Sequence, residues 1–133
     1  MDSGDSHRVT GLRTVAVPVS DQDRALRFYT EVLGLSTRLD AEVEQLGGRW
    51  IEVVPEGADT SIALVPARSG HPTGVDTGIR LTTPDAAALH QELAGRGVEV
   101  GELLHWRGAP PMFLFTDPDG NTLEVVGSAR PPS

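Results

Sequence analysis

Two residue types are absent from this chain of 133 residues, which contains neither cysteine nor lysine. Without cysteine, disulfide bonds and thiolate chemistry are excluded, and a cytoplasmic location is the default expectation. Without lysine, Schiff-base catalysis and a lysine general base are excluded. All 11 basic residues are therefore arginine.

The chain also lacks any long apolar run and any excess of positive charge. No apolar segment approaches the roughly 20 residues that a membrane helix needs, and the N-terminus is polar and acidic, unlike a signal peptide. The net charge of −8 argues against nucleic acid and anionic membranes as partners. The length and the hydrophobic content of 38% predict one folded, soluble domain.

The apolar pattern of residues 12–66 predicts a strand, a helix and three further strands. Valines alternate along the first strand, at residues 12–19. The helix is expected to begin with Ser20 as its N-cap and to end at Gly34. The three further strands are placed at about 35–43, 47–54 and 60–66.

The same order recurs after a linker, with a strand at 78–82 and a helix that begins with Thr83 as N-cap and Pro84 in the first helical position. That helix should end at Gly95 or Gly97, and strands follow near 98–106, 111–117 and 122–127. The fold class is therefore α+β, with two βαβββ modules of roughly 55 residues that pack as one domain. The expected boundaries are a flexible tail at 1–11, module 1 at 12–66, the linker at 67–76, module 2 at 77–127 and a tail at 128–133.

The most distinctive segment is the turn at residues 117–121, with the sequence Asp-Pro-Asp-Gly-Asn. Proline fixes φ near the value that a turn needs and glycine accepts a positive φ, so the apolar runs on either side should form a hairpin. The second run carries one carboxylate, Glu124. An ionisable side chain in an apolar strand must be exposed, paired or functional. Glu124 is therefore the first candidate for a functional residue.

Two motifs make the chain similar to the vicinal oxygen chelate superfamily, which includes glyoxalase I, bleomycin-resistance and fosfomycin-resistance proteins, and extradiol dioxygenases. Residues 17–35, with Phe28-Tyr29 and Val32-Leu33-Gly34, resemble the family's first strand and helix. The second motif is the 117–121 turn followed by Leu123-Glu124. The resemblance covers residues 12–127. It implies that the two modules curl a mixed sheet around a cavity for a small-molecule ligand, and that the protein is a homodimer.

In metal-dependent members of that family, four strands each supply one metal ligand. By residue matching, these positions are Thr14, Ala63, Gly78 and Glu124. Thr14 is a poor neutral donor and the next two have no donor side chain, whereas most catalytic metal sites use at least three protein ligands. The resemblance therefore predicts no cofactor and no metal ligands, and disfavours a divalent metal.

Alternation along the strands predicts which side chains line the cavity, while the opposite face is apolar and should pack on the helices. In the family topology the first and last strands of a module are neighbours, so Arg80 and Glu124 should lie side by side. The guanidinium would then replace a metal as the counter-charge of the carboxylate. The alternative is that the two side chains are solvated separately. The expected cavity face contains Thr14, Ala16, Ser61, Ala63, Gly78, Arg80, Thr82, Thr122 and Glu124.

Aromatic side chains are further candidates. Trp106 could stack on a planar ligand and His105 could transfer a proton near neutral pH, or both could be exposed residues of an edge strand. Trp50 and Glu52 form an aromatic–acid pair, or simply a half-buried strand with an outward acid. The ligand-binding candidates are therefore Arg80, Trp106, Trp50, Glu52, Thr14 and Glu124, and the catalytic candidates are Glu124 and His105.

Three functions remain open at the level of the sequence. The first is a metal-free protein that binds a small organic molecule in its cavity, as antibiotic-sequestering members of the family do. The second is an enzyme, either a metal-dependent lyase, isomerase or dioxygenase, or a metal-free acid–base catalyst that uses Glu124 or His105, with Arg80 stabilising an oxyanion. The third is a structural or regulatory partner domain.

Overall fold

A computed structural model describes residues 7–128. Residues 1–6 and 129–133, which belong to the expected terminal tails 1–11 and 128–133, lie outside the described residues. Among residues 7–128, no helix is both long enough and apolar enough to cross a membrane.

Module 1 forms a four-stranded sheet with the strand order β1-β4-β3-β2, in which β1 and β4 are parallel. The expected helix is α-helical in its first part and continues as one π-helical turn that buries Phe28 and Tyr29. Gly34 ends it with φ = +80°, as expected. The elements are β1 (Thr14–Val19), α1 (Gln22–Arg27), the π-helical turn (Phe28–Val32), β2 (Ser36–Val43), a 3₁₀ turn (Glu44–Leu46), β3 (Gly48–Val54) and β4 (Ser61–Pro66).

Module 2 forms a three-stranded sheet in which β7 lies between β5 and β6. β7 is parallel to β5 and antiparallel to β6, so the hairpin around the 117–121 turn forms as predicted. Gly97 has φ = +83° just beyond the second helix. The elements are β5 (Asp76–Thr83), α2 (Ala86–Gly95), β6 (Met112–Thr116) and β7 (Thr122–Gly127).

The predicted strand at 98–106 is wrong. This stretch meets β6 through two isolated bridges, Val100 with Phe115 and Leu104 with Met112. From the first bridge to the second the stretch runs four residues, from Val100 to Leu104, whereas β6 runs three, from Phe115 to Met112. The two segments therefore do not keep one register, and a continuous ladder does not form. We call residues 98–104 the bridged segment.

Both predicted helix starts are also wrong, by one or two residues. The N-cap of α1 is Asp21, whose carboxylate accepts from the backbone N–H of Arg24, while Ser20 bonds elsewhere. The N-cap of α2 is Asp85, and Thr83 remains in β5. In each case an aspartate closer to the first helical turn supplies the cap.

One hydrophobic core serves both modules. The face of each sheet that packs on its helix is apolar as expected, and Val17, Leu64, Leu123 and Val125 are buried in a single cluster with residues of both helices. The rings of Phe28 and Phe115 meet across the module boundary with centroids 6.3 Å apart. Neither module therefore has a core of its own.

The 117–121 turn also joins the modules through buried polar contacts. Asn121 is 0% exposed. Its side-chain N–H groups donate to the carbonyl of Pro18 in β1 at 2.8 Å and to Asp117 at 3.0 Å. Its side-chain oxygen accepts from the backbone N–H groups of Gly74 at 2.9 Å and Val75 at 3.1 Å, in the linker. One amide therefore connects the first strand, the linker and the last hairpin.

Asp117 completes this junction. One carboxylate oxygen accepts from the backbone N–H groups of Asp119 and Asn121, both at 2.9 Å, and so fixes the turn. The other accepts from the hydroxyl of Tyr29, at 2.8 Å, on the π-helical turn of module 1. Burial and the negative charge of Asp117 both raise the pKa of Tyr29, which therefore remains a donor.

We predict that Asn121→Ala lowers the free energy of unfolding by about 3 kcal/mol, because it removes the four hydrogen bonds of a fully buried amide and leaves the buried Pro18 carbonyl without its partner. Urea unfolding at neutral pH measures this change. Tyr29→Phe, which removes one bond from the same junction, should cost about 1–2 kcal/mol. An unfolding midpoint for Asn121→Ala equal to that of the wild type would contradict the assignment.

Candidate functional site

Each sheet has one face that the helices do not cover. On the module-1 sheet this open face carries Trp50 and Glu52, since their neighbours Ile51 and Val53 are fully buried in the core. On the module-2 sheet it carries Arg80, Glu124 and Leu114, which are aligned across three strands. The two open faces belong to separate sheets.

Arg80 and Glu124 lie side by side, as expected. They are direct partners in the β5–β7 register, and Nε of Arg80 donates to Oε1 of Glu124 at 2.7 Å. The arginine side chain is 72% exposed and the carboxylate 21% exposed, so water screens the pair. The pair therefore contributes little stability, and it leaves guanidinium N–H groups and Oε2 of Glu124 available for a ligand.

The cavity beside this pair, the module-2 cavity, has a volume of about 290 Å³. Leu114 and Glu124 border both this cavity and a recess of about 140 Å³ that Arg80 also lines. Leu114 is 49% exposed and Trp106 59% exposed, although both are large apolar side chains. The residues that line the module-2 cavity are Gly101, Glu102, Leu104, Trp106, Met112, Phe113, Leu114 and Glu124.

Trp106 and His105 also border a second cavity, of about 580 Å³, between the start of α2 and the loop at residues 105–111. Glu124 does not line this second cavity. The two catalytic candidates, His105 and Glu124, therefore share neither cavity, and the structure does not bring them together as an acid–base pair. Trp106 borders both cavities, at the rim of the apolar surface.

Glu52 lies at the centre of a polar cluster on the module-1 sheet, and it is 1% exposed. Its Oε1 accepts from Nε and Nη2 of Arg38, at 3.1 and 2.5 Å, and from the Ser61 hydroxyl at 2.9 Å. Its Oε2 accepts from Nε1 of Trp50 at 2.7 Å and from Nε of Arg13 at 3.3 Å. We call these five residues the Glu52 cluster.

Five donors saturate this carboxylate, which has about four lone-pair directions. Burial by itself would raise the pKa of Glu52, but the hydrogen bonds from Trp50, Arg38 and Ser61 and the charge of Arg13 outweigh it and lower the pKa to about 2. No acceptor position is left for a ligand. Glu52, expected as a ligand contact, instead holds the side chains around it.

A β-bulge brings Arg38 to this cluster. The register of β2 against β3 shifts between Thr37 and Leu39, so Arg38 is the extra residue. A bulge re-aims the side chain at its position. The guanidinium thereby reaches Glu52, Ser61 and the backbone carbonyls of Arg13 and Asp59.

The four positions matched to metal ligands do not fit a metal. Thr14 lies 2.7 Å from the Ser61 hydroxyl and donates to a backbone carbonyl. Ala63 is buried and Gly78 has no side chain, while Glu124 is engaged by Arg80. Within residues 7–128, no group of three or more His, Cys, Asp or Glu side chains is arranged to hold a metal ion.

Sequence reasoning missed Arg13, Arg38 and Leu114. The bulge at Arg38 depends on pairing between strands and leaves no local signal. Leu114 belongs to an uninterrupted apolar run, Met112 to Phe115, in which alternation does not show which face is open. For Arg13, the one signal was its position directly before Thr14, which belongs to the predicted cavity face.

The comparisons with known proteins agree with this geometry. Residues 11–125 match the family model described as the glyoxalase/bleomycin resistance protein/dioxygenase superfamily. A curated protein of Bacillus subtilis (strain 168), the uncharacterized protein YetH, is 31% identical over 112 residues, which are 81% of this chain and 90% of that protein.

Two solved structures share the whole fold. TnmS3, an antibiotic binding protein from Streptomyces sp. CB03234, is 34% identical with a TM-score of 0.80, over 90% of this chain and 97% of its own. A member of the glyoxalase/bleomycin resistance protein/dioxygenase superfamily from Sphaerobacter thermophilus DSM 20745 is 32% identical with a TM-score of 0.81, over 90% and 98%.

We predict that Glu52→Gln destabilises the protein at neutral pH and much less in acid. The pKa of Glu52 is lowered in the folded state, from an ordinary value of 4.5 to about 2. Its stabilising effect is therefore complete above about pH 5 and is lost as the pH falls through the interval between these two values, with a total of roughly 3 kcal/mol.

Urea unfolding of the wild type and Glu52→Gln at pH 7 and pH 3 tests this prediction. The difference in unfolding free energy should shrink by more than half at pH 3. Glu44→Gln, at an exposed glutamate, serves as the control and should stay within about 0.5 kcal/mol of the wild type. A difference for Glu52→Gln that is the same at both pH values would contradict the lowered pKa.

Proposed function

Because the chain belongs to the glyoxalase/bleomycin resistance protein/dioxygenase superfamily, we propose that it binds a small organic molecule in the module-2 cavity. The observation that carries this proposal is the surface formed by Leu114 and Trp106. Large apolar side chains exposed in a cavity indicate an interaction site. The described antibiotic-binding relative, TnmS3, has the same fold over nearly the whole chain.

The cavity indicates what kind of molecule it accepts. Its wall is apolar, and Trp106 offers an indole surface for stacking. Beside the wall, Arg80 offers N–H donors and Glu124 offers one free carboxylate oxygen. An amphipathic molecule with a flat apolar part and polar substituents at one edge fits this arrangement. No metal takes part in this mode of binding.

Binding without turnover is favoured over catalysis by the same geometry. Acid–base catalysis needs a proton donor and acceptor within reach of the reacting atoms. Glu124 is held by Arg80, and His105 lies in the other cavity. Chromatographic recovery of an unchanged ligand after incubation supports binding alone, whereas product formation that Glu124→Gln abolishes would favour an enzyme.

The proposal includes a second copy of the chain. The module-2 cavity is open to solvent on one side in the single chain. Leu114 is 49% exposed there and Trp106 is 59% exposed. A homodimer that covers this face would bury that apolar surface and enclose the ligand.

We predict that Leu114→Asp weakens binding of the neutral dye Nile red at least about tenfold, because it places a charge in the apolar wall. Dye fluorescence measured as a function of protein concentration gives the dissociation constant. Leu39→Asp is the matched control, since Leu39 is similarly exposed, at 39%, but lies on the module-1 sheet. Equal binding by the two variants would place the apolar site elsewhere.

We also predict a dimer in solution. Gel filtration with light scattering should give a mass about twice the 14.1 kDa of the chain. A monomer mass at every concentration up to 100 µM, a range chosen to be roughly that of ordinary homodimer affinities, would contradict the covered-face arrangement.

A further inference from the structure

We infer that the module-1 sheet carries a second binding site, in which Arg13 and Trp50 bind a planar organic anion such as an aromatic carboxylate. This site lies on the other sheet from the module-2 cavity, and its evidence is independent of the function proposed for that cavity.

Glu52 holds the two side chains close together. Trp50 Nε1 at 2.7 Å and Arg13 Nε at 3.3 Å both donate to the same oxygen, Oε2 of Glu52. The two nitrogens are therefore at most about 6 Å apart, whatever the angle between the bonds. A guanidinium and an indole ring at that separation can contact the charged group and the ring of one small molecule.

The cluster carries more positive charge than Glu52 neutralises. Two guanidinium groups bond to one carboxylate, although the chain as a whole has a net charge of −8. A local excess of one positive charge at a partly covered surface favours an anionic ligand over a neutral one. The two arginines differ in how many of their N–H donors remain available for such a ligand.

Arg38 uses its donors within the protein. Its three nitrogens bond to Glu52, to Ser61 and to the carbonyls of Arg13 and Asp59, and its side chain is 28% exposed. Arg13 donates through Nε alone. Its two terminal nitrogens have no acceptor among residues 7–128, and its side chain is 68% exposed. Arg13 is therefore the cation that remains available for a ligand, in the fork geometry that suits a carboxylate.

Arg13 contributes least to holding Glu52. Its bond, at 3.3 Å, is the longest of the five that the carboxylate accepts, and Arg38, Ser61 and Trp50 provide the other four. Neutralising Glu52 therefore does not require Arg13. Trp50, in contrast, has its indole N–H fixed on Glu52, so the ring is held in one orientation on the open face. The arrangement has the two parts that an aromatic anion needs, a fixed ring surface and a free cation.

Calorimetric titration with 2-naphthoate and with its neutral analogue 2-naphthamide tests the inference. We expect wild type to bind the carboxylate more tightly than the amide. Arg13→Gln should weaken 2-naphthoate binding at least about tenfold, the loss of a charge-assisted contact, and leave 2-naphthamide binding unchanged. The melting temperature of Arg13→Gln should stay near that of the wild type, because the other four bonds to Glu52 remain.

Two arginine variants serve as controls. Arg27→Gln removes an exposed arginine of α1, and Arg80→Gln removes the cation of the module-2 sheet. Arg27→Gln should bind 2-naphthoate like the wild type, and Arg80→Gln should weaken its binding much less than Arg13→Gln does. The inference is overturned if the wild type does not bind 2-naphthoate, if Arg13→Gln binds it unchanged, or if Arg80→Gln loses it instead. The Leu114→Asp variant separates this outcome from the function of the module-2 cavity, since it should retain 2-naphthoate binding while losing the dye.

Discussion

The buried amide of Asn121 is the contact on which the arrangement of the two modules depends. All of its hydrogen-bonding groups are used, and their partners come from the first strand, the linker and the last hairpin. A fully paired amide in a low-dielectric interior is strongly directional, because each unpaired group would cost free energy. Burial of the shared hydrophobic core holds the modules together, and this junction fixes how they are aligned. Both open faces take their positions from it.

The residues that identify the family serve mainly structural roles in this chain, and Glu124 is the exception. The 117–121 turn and the Phe28-Tyr29 pair are signature elements, and both serve the junction or the core. The surfaces that we propose for small molecules use Leu114, Trp106 and Arg13, which belong to neither motif. The two motifs can therefore be present in a chain that has Thr14, Ala63 and Gly78 at positions matched to metal ligands.

Most of the fold could be predicted from the sequence, because strand alternation and helical spacing are local signals. The pairing of Arg80 with Glu124 followed from alternation together with the strand order that the family resemblance implies. The features that were predicted wrongly or missed depend on contacts between residues that are far apart in the chain. Ser20 does not cap α1, since its hydroxyl and N–H both bond to Asp119, 99 residues away. The Arg38 bulge and the mismatch in the bridged segment are properties of paired strands, and neither has a local pattern.

The pairing of the bridged segment also has a consequence for the evolution of this protein. It leads to Trp106 and lines part of the module-2 cavity, yet it is joined to β6 through two bridges rather than a continuous ladder. Insertions and deletions are tolerated best where few backbone bonds constrain the chain. The wall of the cavity can therefore change in length more readily than a strand in a continuous ladder, as long as Val98, Val100 and Leu103 keep their packing on the core. Descendants of this chain could acquire new ligands by altering one short stretch.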